Sequence, residues 1–232
     1  MKKKLVIFSG AGVSAESGLK TFRDSGGLWE EYDIMELATP EAWARNPKLV
    51  LDFYNMRRKQ VMQAQPNQAH HRIAQLERHF DVEVVTQNID DLHERAGSSK
   101  VLHLHGEVLQ ARSTFPPFKT YPIKGTELGW GQKCPNGYQL RPHVVWFGEE
   151  VPLMPVAEQI IKSADIMVVV GTSLNVYPAA GLVHAVRKTV PIYLIDPNEV
   201  RVHGIDNVRW IRKSAAEGMQ ELFDMLVPVS AG

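Results

Sequence analysis

Three short clusters carry residue types that could do chemistry. The first is Gly10-Ala11-Gly12-Val13-Ser14-Ala15, directly after the apolar run Leu5-Val6-Ile7-Phe8. A strand that ends in two positions without side chains and passes into a helix lets backbone N–H groups approach a pyrophosphate. With Ala15 in place of a third glycine, an ordinary strand-to-helix turn reads the same way. The second cluster is Thr86-Gln87-Asn88-Ile89-Asp90, where amides and a carboxylate follow another β-rich run; Asn88 or Asp90 would equally serve to cap a short helix that Gly97 ends. The third is His103-Leu104-His105-Gly106. Residues two apart on a strand share a face, so the two imidazoles could pair on a metal, although local spacing supplies no third ligand.

The elements that must position these clusters alternate. β-Rich runs at residues 5–8, 82–86, 101–104, 166–170, 192–195 and 208–211 are separated by helical patterns that include 153–164, 178–188 and 215–227. The last helix is expected to open with a capping box between Ser214 and Glu217. This alternation predicts an α/β fold, a doubly wound parallel, Rossmann-like sheet with its ligand at the carboxyl ends of the strands. Residues 1–31, 80–107 and 142–232 would form that body. Two inserts break the pattern and are expected to form a smaller lobe. Residues 32–79 hold one helix capped by Asn46 with Pro47 in its first turn and another after Pro66-Asn67, whereas 108–141 shows no clear period.

Composition narrows the class. The chain has 232 residues, 44% hydrophobic, enough for a full core. Its 26 basic and 26 acidic residues balance, which gives no nucleic-acid or membrane-surface footprint. The apolar run after Lys4 stops at Ser9, short of a secretory signal core, and nothing approaches the roughly 20 apolar residues of a membrane span. With Cys134 as the single cysteine, no internal disulfide can form, and a cytoplasmic protein is expected.

Glu16, Ser17, Gly18, Phe22 and Arg23 extend the first cluster into a pattern that resembles the sirtuin family, the NAD-dependent protein-lysine deacylases. The TQNID and HLHG clusters fit the same resemblance, as do Gly171-Thr172-Ser173 and the segment Arg141-Pro142-His143-Val144-Val145-Trp146-Phe147-Gly148-Glu149. It implies that NAD is consumed as co-substrate rather than cycled as a redox carrier. Gly10, Ala11, Gly12, Ser14, Glu16, Phe22, Arg23, Gln87, Asn88, Ile89 and Asp90 would contact it, with Asp90 on the nicotinamide carboxamide. So would Gly171, Thr172, Ser173, Asp196, Pro197, Asn198 and Ala215, although the family more often has asparagine where Asp196 stands. The resemblance makes His105 the general base, since an imidazole titrating near roughly 6.5 accepts a proton from a ribose hydroxyl at neutral pH. His103 would then be structural, and Gln87 and Asn88 would order the nicotinamide ribose and its water. The 141–149 segment, through Val145, Phe147 and Gly148, would pair with the backbone of an acyl-lysine peptide, unless it is simply a core strand. The products implied are nicotinamide, free lysine and O-acyl-ADP-ribose.

One helix carries an irregular residue. Val50, Tyr54, Arg57 and Val61 share a stripe, which sets a guanidinium among apolar positions with no acid on the same stripe. Its stem could lie on apolar surface while its head reaches water. Tyr54-x-x-Arg57 also resembles the pair with which desuccinylase-like sirtuins, of the bacterial class III type, bind an acyl carboxylate, and Ala38 matches the small residue that widens their pocket. Acetyl-, succinyl- and malonyl-lysine are therefore all expected substrates.

A nicotinamide dehydrogenase should carry an acid at the end of a second strand, but Glu30 and Glu31 follow Gly26-Gly27-Leu28-Trp29, where no strand is apparent. A silent NAD-binding sensor would not need His105, Asn88 and Asp90 together, and an ADP-ribosyltransferase is not separated by motif.

The family's four-cysteine zinc module is missing. Only Cys134 remains, and Ser113 stands near the place of the first ligand, so no zinc is expected. The insert would instead be held by Phe115, Pro116, Pro117, Tyr121 and Trp130. Elemental analysis of the purified protein should find zinc well below stoichiometric; a full equivalent would overturn this reading.

Overall fold

The computed structural model describes residues 2–21, 33–200, 204–205 and 207–227. Its central strand is β1 (Lys4–Ser9), whose Leu5, Val6, Ile7 and Phe8 are fully buried. A strand buried on both faces reads as an unbroken apolar run, and this one pairs in parallel on both sides. Its neighbours are β2 (Asp81–Thr86) and β7 (Ile166–Val170), in a six-stranded sheet of order β3-β2-β1-β7-β8-β9 completed by β3 (Val101–His103), β8 (Ile192–Ile195) and β9 (Val208–Ile211). The order reverses at β1, and the register sets Ser9 level with Thr86 on one side and Val170 on the other. The predicted α/β doubly wound sheet is therefore present, with the loops after β1, β2 and β7 meeting at one switch point.

Alternation along β1 feeds two cores. Val6 and Phe8 pack with Met167, Val169, Ala157 and Ile161, the last two from a helix at Met154–Lys162. Leu5 and Ile7 pack on the other face with Ile73 and Leu76 of the helix Gln68–Leu76 and with Met219 and Leu222 of the helix Ala215–Leu226. Residues 178–188, expected to be helical, form a 3-10 helix at Ala179–Ala185. Its buried positions, Ala179, Ala180, Leu182 and Val183, recur every three residues, the period of that helix.

The 108–141 insert is more ordered than its sequence suggests. β4 (Gly106–Ser113), β5 (Thr120–Pro122) and β6 (Leu140–Val144) form a three-stranded antiparallel sheet of order β5-β4-β6. A register shift between Glu107 and Ala111 breaks the alternation, which is why no period shows. The aromatic residues expected to hold the insert do not form its core. Phe115 and Trp130 are exposed, Phe115 stacking on Tyr138 and Trp130 edge-on to Trp43; the buried cluster is Leu51, Ala111 and Leu128. Cys134 is buried with its Sγ 3.7 Å from Ser113 Oγ. Among the described residues no helix is long and apolar enough to cross a membrane.

A buried cation staples this sheet to the helix Pro47–Gln63. Arg58, fully buried, donates from Nε to the Val108 carbonyl at 2.8 Å and from Nη1 to Asn55 Oδ1 at 2.6 Å and the Thr126 carbonyl at 3.1 Å. Asn55 joins Leu128 through both its amide groups, at 3.1 and 2.9 Å. Burial pushes the Arg58 pKa down to about 10, so it remains a cation at neutral pH. Arg58→Met removes donors from one buried and one half-buried carbonyl and should cost about 3 kcal/mol in a denaturant titration. A loss under about 0.5 kcal/mol, the size of a neutral surface change, would mean that the staple is redundant.

Candidate active site

The carboxyl ends of β1, β2, β7 and β8 open onto a cleft of about 1300 Å³, counting the solvent at its mouth. Gly10, Ala11 and Gly12 line it from the first loop, Gln87, Asn88 and Ile89 from the second, Gly171, Thr172 and Ser173 from the third, and Asp196 from the end of β8. His105 lies on the same wall. Ala38, Tyr54 and Arg57 approach from the first insert and Val145, Phe147 and Gly148 from beyond β6.

The glycines serve a purpose that their spacing alone does not show. Gly12 N–H donates to the Gly171 carbonyl at 2.8 Å and Gly10 N–H to the Val170 carbonyl at 3.1 Å. A Cβ on Gly12 would lie 2.8 Å from Gly171 Cα, and one on Gly171, whose φ is +62°, would lie 2.2 Å from Val13 N. Only two bare backbones fit here. The N–H groups of Gly10 and Gly12 are thus engaged in joining the β1 and β7 loops rather than pointing into the cleft. A third link, Gln87 Nε2 to Thr172 Oγ1 at 3.1 Å, ties the β2 loop to the same place. What remains is a hollow at the switch point that the glycines keep clear of bulky side chains, and an extended dinucleotide suits it.

The two histidines of the third cluster divide their work. His105 Nδ1 lies 3.0 Å from the Gln87 carbonyl, which can only accept, so Nδ1 carries the proton and Nε2 is left as the acceptor. Burial lowers the His105 pKa below its ordinary value, against the pull of the Gln87 carbonyl, so the ring is neutral at pH 7. His103 instead sits between two acceptors, the Asn88 carbonyl at 2.9 Å and Glu94 Oε1 at 2.7 Å. Burial works against its charge, but the Glu94 carboxylate prevails and raises its pKa. Both His103 nitrogens are thereby occupied. Among the described residues no group of three His, Cys, Asp or Glu is placed to hold a metal.

Beside the cleft lies a smaller pocket lined by Ser14, Asp90, Asn88 and Arg57 among others. Ser14 Oγ accepts from Asn88 Nδ2 and donates to Asp90 Oδ2, each at 3.1 Å, while Asp90 Oδ1 accepts the Leu92 N–H at 3.2 Å. Asp90 therefore holds the first N–H of the short helix Leu92–Arg95 and faces a pocket at once. Its burial raises the carboxyl pKa despite those two donors.

Arg57 lines both spaces and is 4% exposed, with Nη1 on Gln60 Oε1 at 2.8 Å. Its head does not reach bulk water. Burial lowers its pKa, and the nearby charge that most opposes this is Asp90, brought in from a different segment although no acid shares the helical stripe. Tyr54 is likewise buried, and burial raises its pKa so that the hydroxyl stays protonated.

Several expected site residues lie elsewhere. Glu16 caps the last helix, accepting the Ala216 N–H at 2.8 Å and the Ser214 hydroxyl at 3.2 Å. Ser214 does accept the Glu217 N–H, at 3.4 Å, which is one half of the expected box, and its own hydroxyl proton goes to Glu16. Pro197 and Asn198 are exposed outside the cleft lining, Asn198 N–H closing a turn on Asp196 Oδ1 at 2.9 Å, and Ala215 is buried in the core. Phe22 and Arg23, and the Gly26 to Glu31 stretch weighed for a second strand, fall outside the described residues. The expected 141–149 strand stops at Val144. The N–H groups of Val145 and Phe147 are taken by the His105 and Ala38 carbonyls, both at 2.9 Å, so backbone pairing of a peptide with these two residues would use their carbonyls. Phe53, Trp146 and Tyr177 also line the cleft and were not singled out; Tyr177 is 74% exposed, a large aromatic four residues after the Gly-Thr-Ser turn, which was its available signal.

Comparison with known proteins agrees with this geometry. Residues 10–178 match the Sir2 family. A protein of Bacteroides thetaiotaomicron named NAD-dependent protein deacylase is 50% identical over 97% of this chain and 99% of its own. A Helicobacter pylori protein of the same name is 51% identical over 99% of this chain and 100% of its own. Among solved structures, a Sir2 homolog in complex with NAD superimposes with a TM-score of 0.87 at 41% identity, covering 97% of this chain and 90% of the other. A Sir2 protein bound to a propionylated peptide gives 0.79 at 28% identity, covering 97% and 93%.

The opposite surroundings of the two histidines are directly measurable. In an NMR titration of the imidazoles, His105 should titrate below about 6.5 and His103 above it. A raised folded pKa means that the His103 contribution to stability is complete below the unfolded value and disappears as pH rises through the folded one. Coincident titrations would show that Glu94 and Gln87 do not set the two protonation states.

Proposed function

The chain belongs to the Sir2 family, and from that premise we infer that it is an NAD-dependent protein-lysine deacylase that accepts acetyl-, succinyl- and malonyl-lysine. The observation that carries this is the shared cleft: the open acceptor nitrogen of His105, the dinucleotide-sized hollow at the switch point and the buried Tyr54 and Arg57 all border one space.

The bare loops after β1 and β7, with Gln87 and Asp196, would hold NAD along the strand ends, and Ser14 with Asp90 would meet the carboxamide in the adjoining pocket. Bound NAD supplies an electrophilic ribose carbon from which nicotinamide departs. His105, neutral at pH 7, takes the proton of a ribose hydroxyl on Nε2, while its Nδ1–H stays on the Gln87 carbonyl and steadies the cation that forms. Asn88, held at both ends by Ser14 and by His103, keeps its place beside that hydroxyl.

At the far end Tyr54 presents a neutral hydroxyl and Arg57 a cation to an acyl carboxylate, with Ala38 leaving room. A terminal methyl makes no such demand, so acetyl-lysine is also turned over. In this reading residues 1–31, 80–107 and 142–232 form the NAD-binding body, and 32–79 with 108–141 the lobe that brings the acyl pocket to it. We place the enzyme in the cytoplasm, where the free Cys134 stays reduced.

Mass spectrometry of acylated peptides incubated with NAD tests the activity. Deacylated peptide with O-acyl-ADP-ribose is the expected product; transfer of ADP-ribose onto protein in its place would make this chain a transferase. His105→Ala should abolish turnover and retain NAD binding. Arg57→Met should lower kcat/KM for succinyl-lysine by the equivalent of about 1.5 to 3 kcal/mol and spare acetyl-lysine. An equal loss on both would mean that Arg57 is structural.

A further inference from the structure

One wall of the cleft runs past the end of β6, and residues 145–149 have no strand ladder to hold them. Its N–H groups turn back into the protein: Val145 onto the His105 carbonyl, Phe147 onto the Ala38 carbonyl and Trp146 onto Glu149 Oε2 at 2.8 Å. Glu149 is the centre of this turn, and none of the roles above uses it. Its Oε1 accepts Arg141 Nη1 at 2.6 Å and Arg112 Nη2 at 2.9 Å, and its Oε2 accepts Arg141 Nη2 at 3.0 Å besides the Trp146 N–H. Arg141 also donates to the Val144 carbonyl at 2.9 Å and sits 3.2 Å from the centroid of the Trp146 ring. Trp146, 2% exposed, packs in one cluster with Tyr54 and tilts against Trp43 with centroids 5.7 Å apart.

A carboxylate has about four lone-pair sites, and here four N–H groups fill them. Glu149 borders the cleft, yet it has no capacity left for a ligand. Its two guanidinium partners come from different strands, Arg112 from β4 and Arg141 from β6, so one side chain ties the turn to both. From this geometry we propose that Glu149 is a positioning residue for the acyl-lysine subsite, fixing through Arg141 and Arg112 the Trp146 wall beside Tyr54 and the backbone that meets His105. The proposal rests on the deacylase reading of the cleft. Burial by itself would raise the Glu149 pKa, but Arg141 first, and then the Trp146 N–H and Arg112, hold it below the ordinary carboxylate value, so the clamp is intact at neutral pH. Removing the charge would leave two guanidinium groups facing each other without the anion between them, which should loosen the turn.

The effect should fall on peptide rather than on NAD, because none of Glu149's hydrogen bonds involves the loops after β1, β2 or β7. In the full chain, Glu149→Gln should raise KM for an acetyl-lysine peptide about tenfold at saturating NAD, with kcat within about threefold and ADP-ribose affinity unchanged. Amide hydrogen exchange at residues 145–147 should quicken in the same variant. Arg112→Ala should shift KM in the same direction by less, and Arg112→Lys should recover most of it; this pair carries the test if Glu149→Gln does not fold. Unaltered KM and exchange, a fall in kcat at constant KM, or a parallel loss of ADP-ribose binding would each overturn the proposal. Should the wild-type chain deacylate no peptide, the functional reading fails, and exchange in Glu149→Gln still decides whether the carboxylate holds the turn.

Discussion

The contact between Gly12 and Gly171 is the constraint from which the site is built. Two loops, each closing a central parallel strand, meet so closely that a methyl group on either would overlap the other's backbone. The hydrogen bonds that join them are the shortest way to satisfy N–H groups at the ends of neighbouring strands. A hollow kept clear of bulky side chains at its glycines is the by-product of that closure, and it lies where the strand order reverses. The cofactor cleft is thus a consequence of sheet topology before it is a matter of particular side chains.

Around this hollow the protein buries polar groups that need partners. Two histidines on one strand end catch two successive carbonyls, Gln87 and Asn88, and so fix the β2 loop by its backbone. Beneath it Ser9 Oγ joins Thr86 Oγ1 at 2.8 Å and His93 Nε2 at 3.0 Å, and Thr86 Oγ1 accepts the Asn88 N–H at 3.0 Å. Burial lowers the pKa of His93 well below its ordinary value and that of His70 to about 4, so both are neutral wherever the fold is stable. Their contribution is complete above the unfolded value of about 6.5 and declines as pH falls through the folded ones. A network of this kind orders the residues that touch the reacting atoms because any displacement would leave a buried group unpaired.

The lobe over the cleft follows a different logic, in which buried arginines join an apolar core that includes Val50, Phe53, Tyr54, Val61 and Trp146. Arg58 satisfies carbonyls from two segments, and Arg141 with Arg112 surrounds one carboxylate. Such arrangements add less to stability than well-packed hydrocarbon of the same volume, but removing one partner is costly, which makes them specific. They determine how the long helix, the antiparallel sheet and the wall at residues 144–149 sit together, and therefore the shape of the acyl end.

How far the sequence could be read depended on the range of the forces involved. β1 and β7 were legible because a strand buried on both faces must be continuously apolar, and β2, β3, β8 and β9 from shorter β-rich runs beside them; both are local properties of the chain. The family clusters at Gly10, Gln87, His105 and Gly171 were legible for a related reason: each follows a strand directly, so its place at the strand ends is implied by its neighbours. What sequence could not decide was who meets whom across distance. That the Gly10 and Gly12 N–H groups join another loop, that Glu16 caps a helix begun about 200 residues later, that Asp90 approaches Arg57 and that Glu149 gathers two arginines all depend on segments brought together only by packing. A hydrogen bond or an ion pair acts over a few ångströms whatever the separation along the chain. The sequence alone therefore determined the strands and the chemistry available at their ends; the tertiary structure decided which of those groups face the cleft and which are used to hold it open.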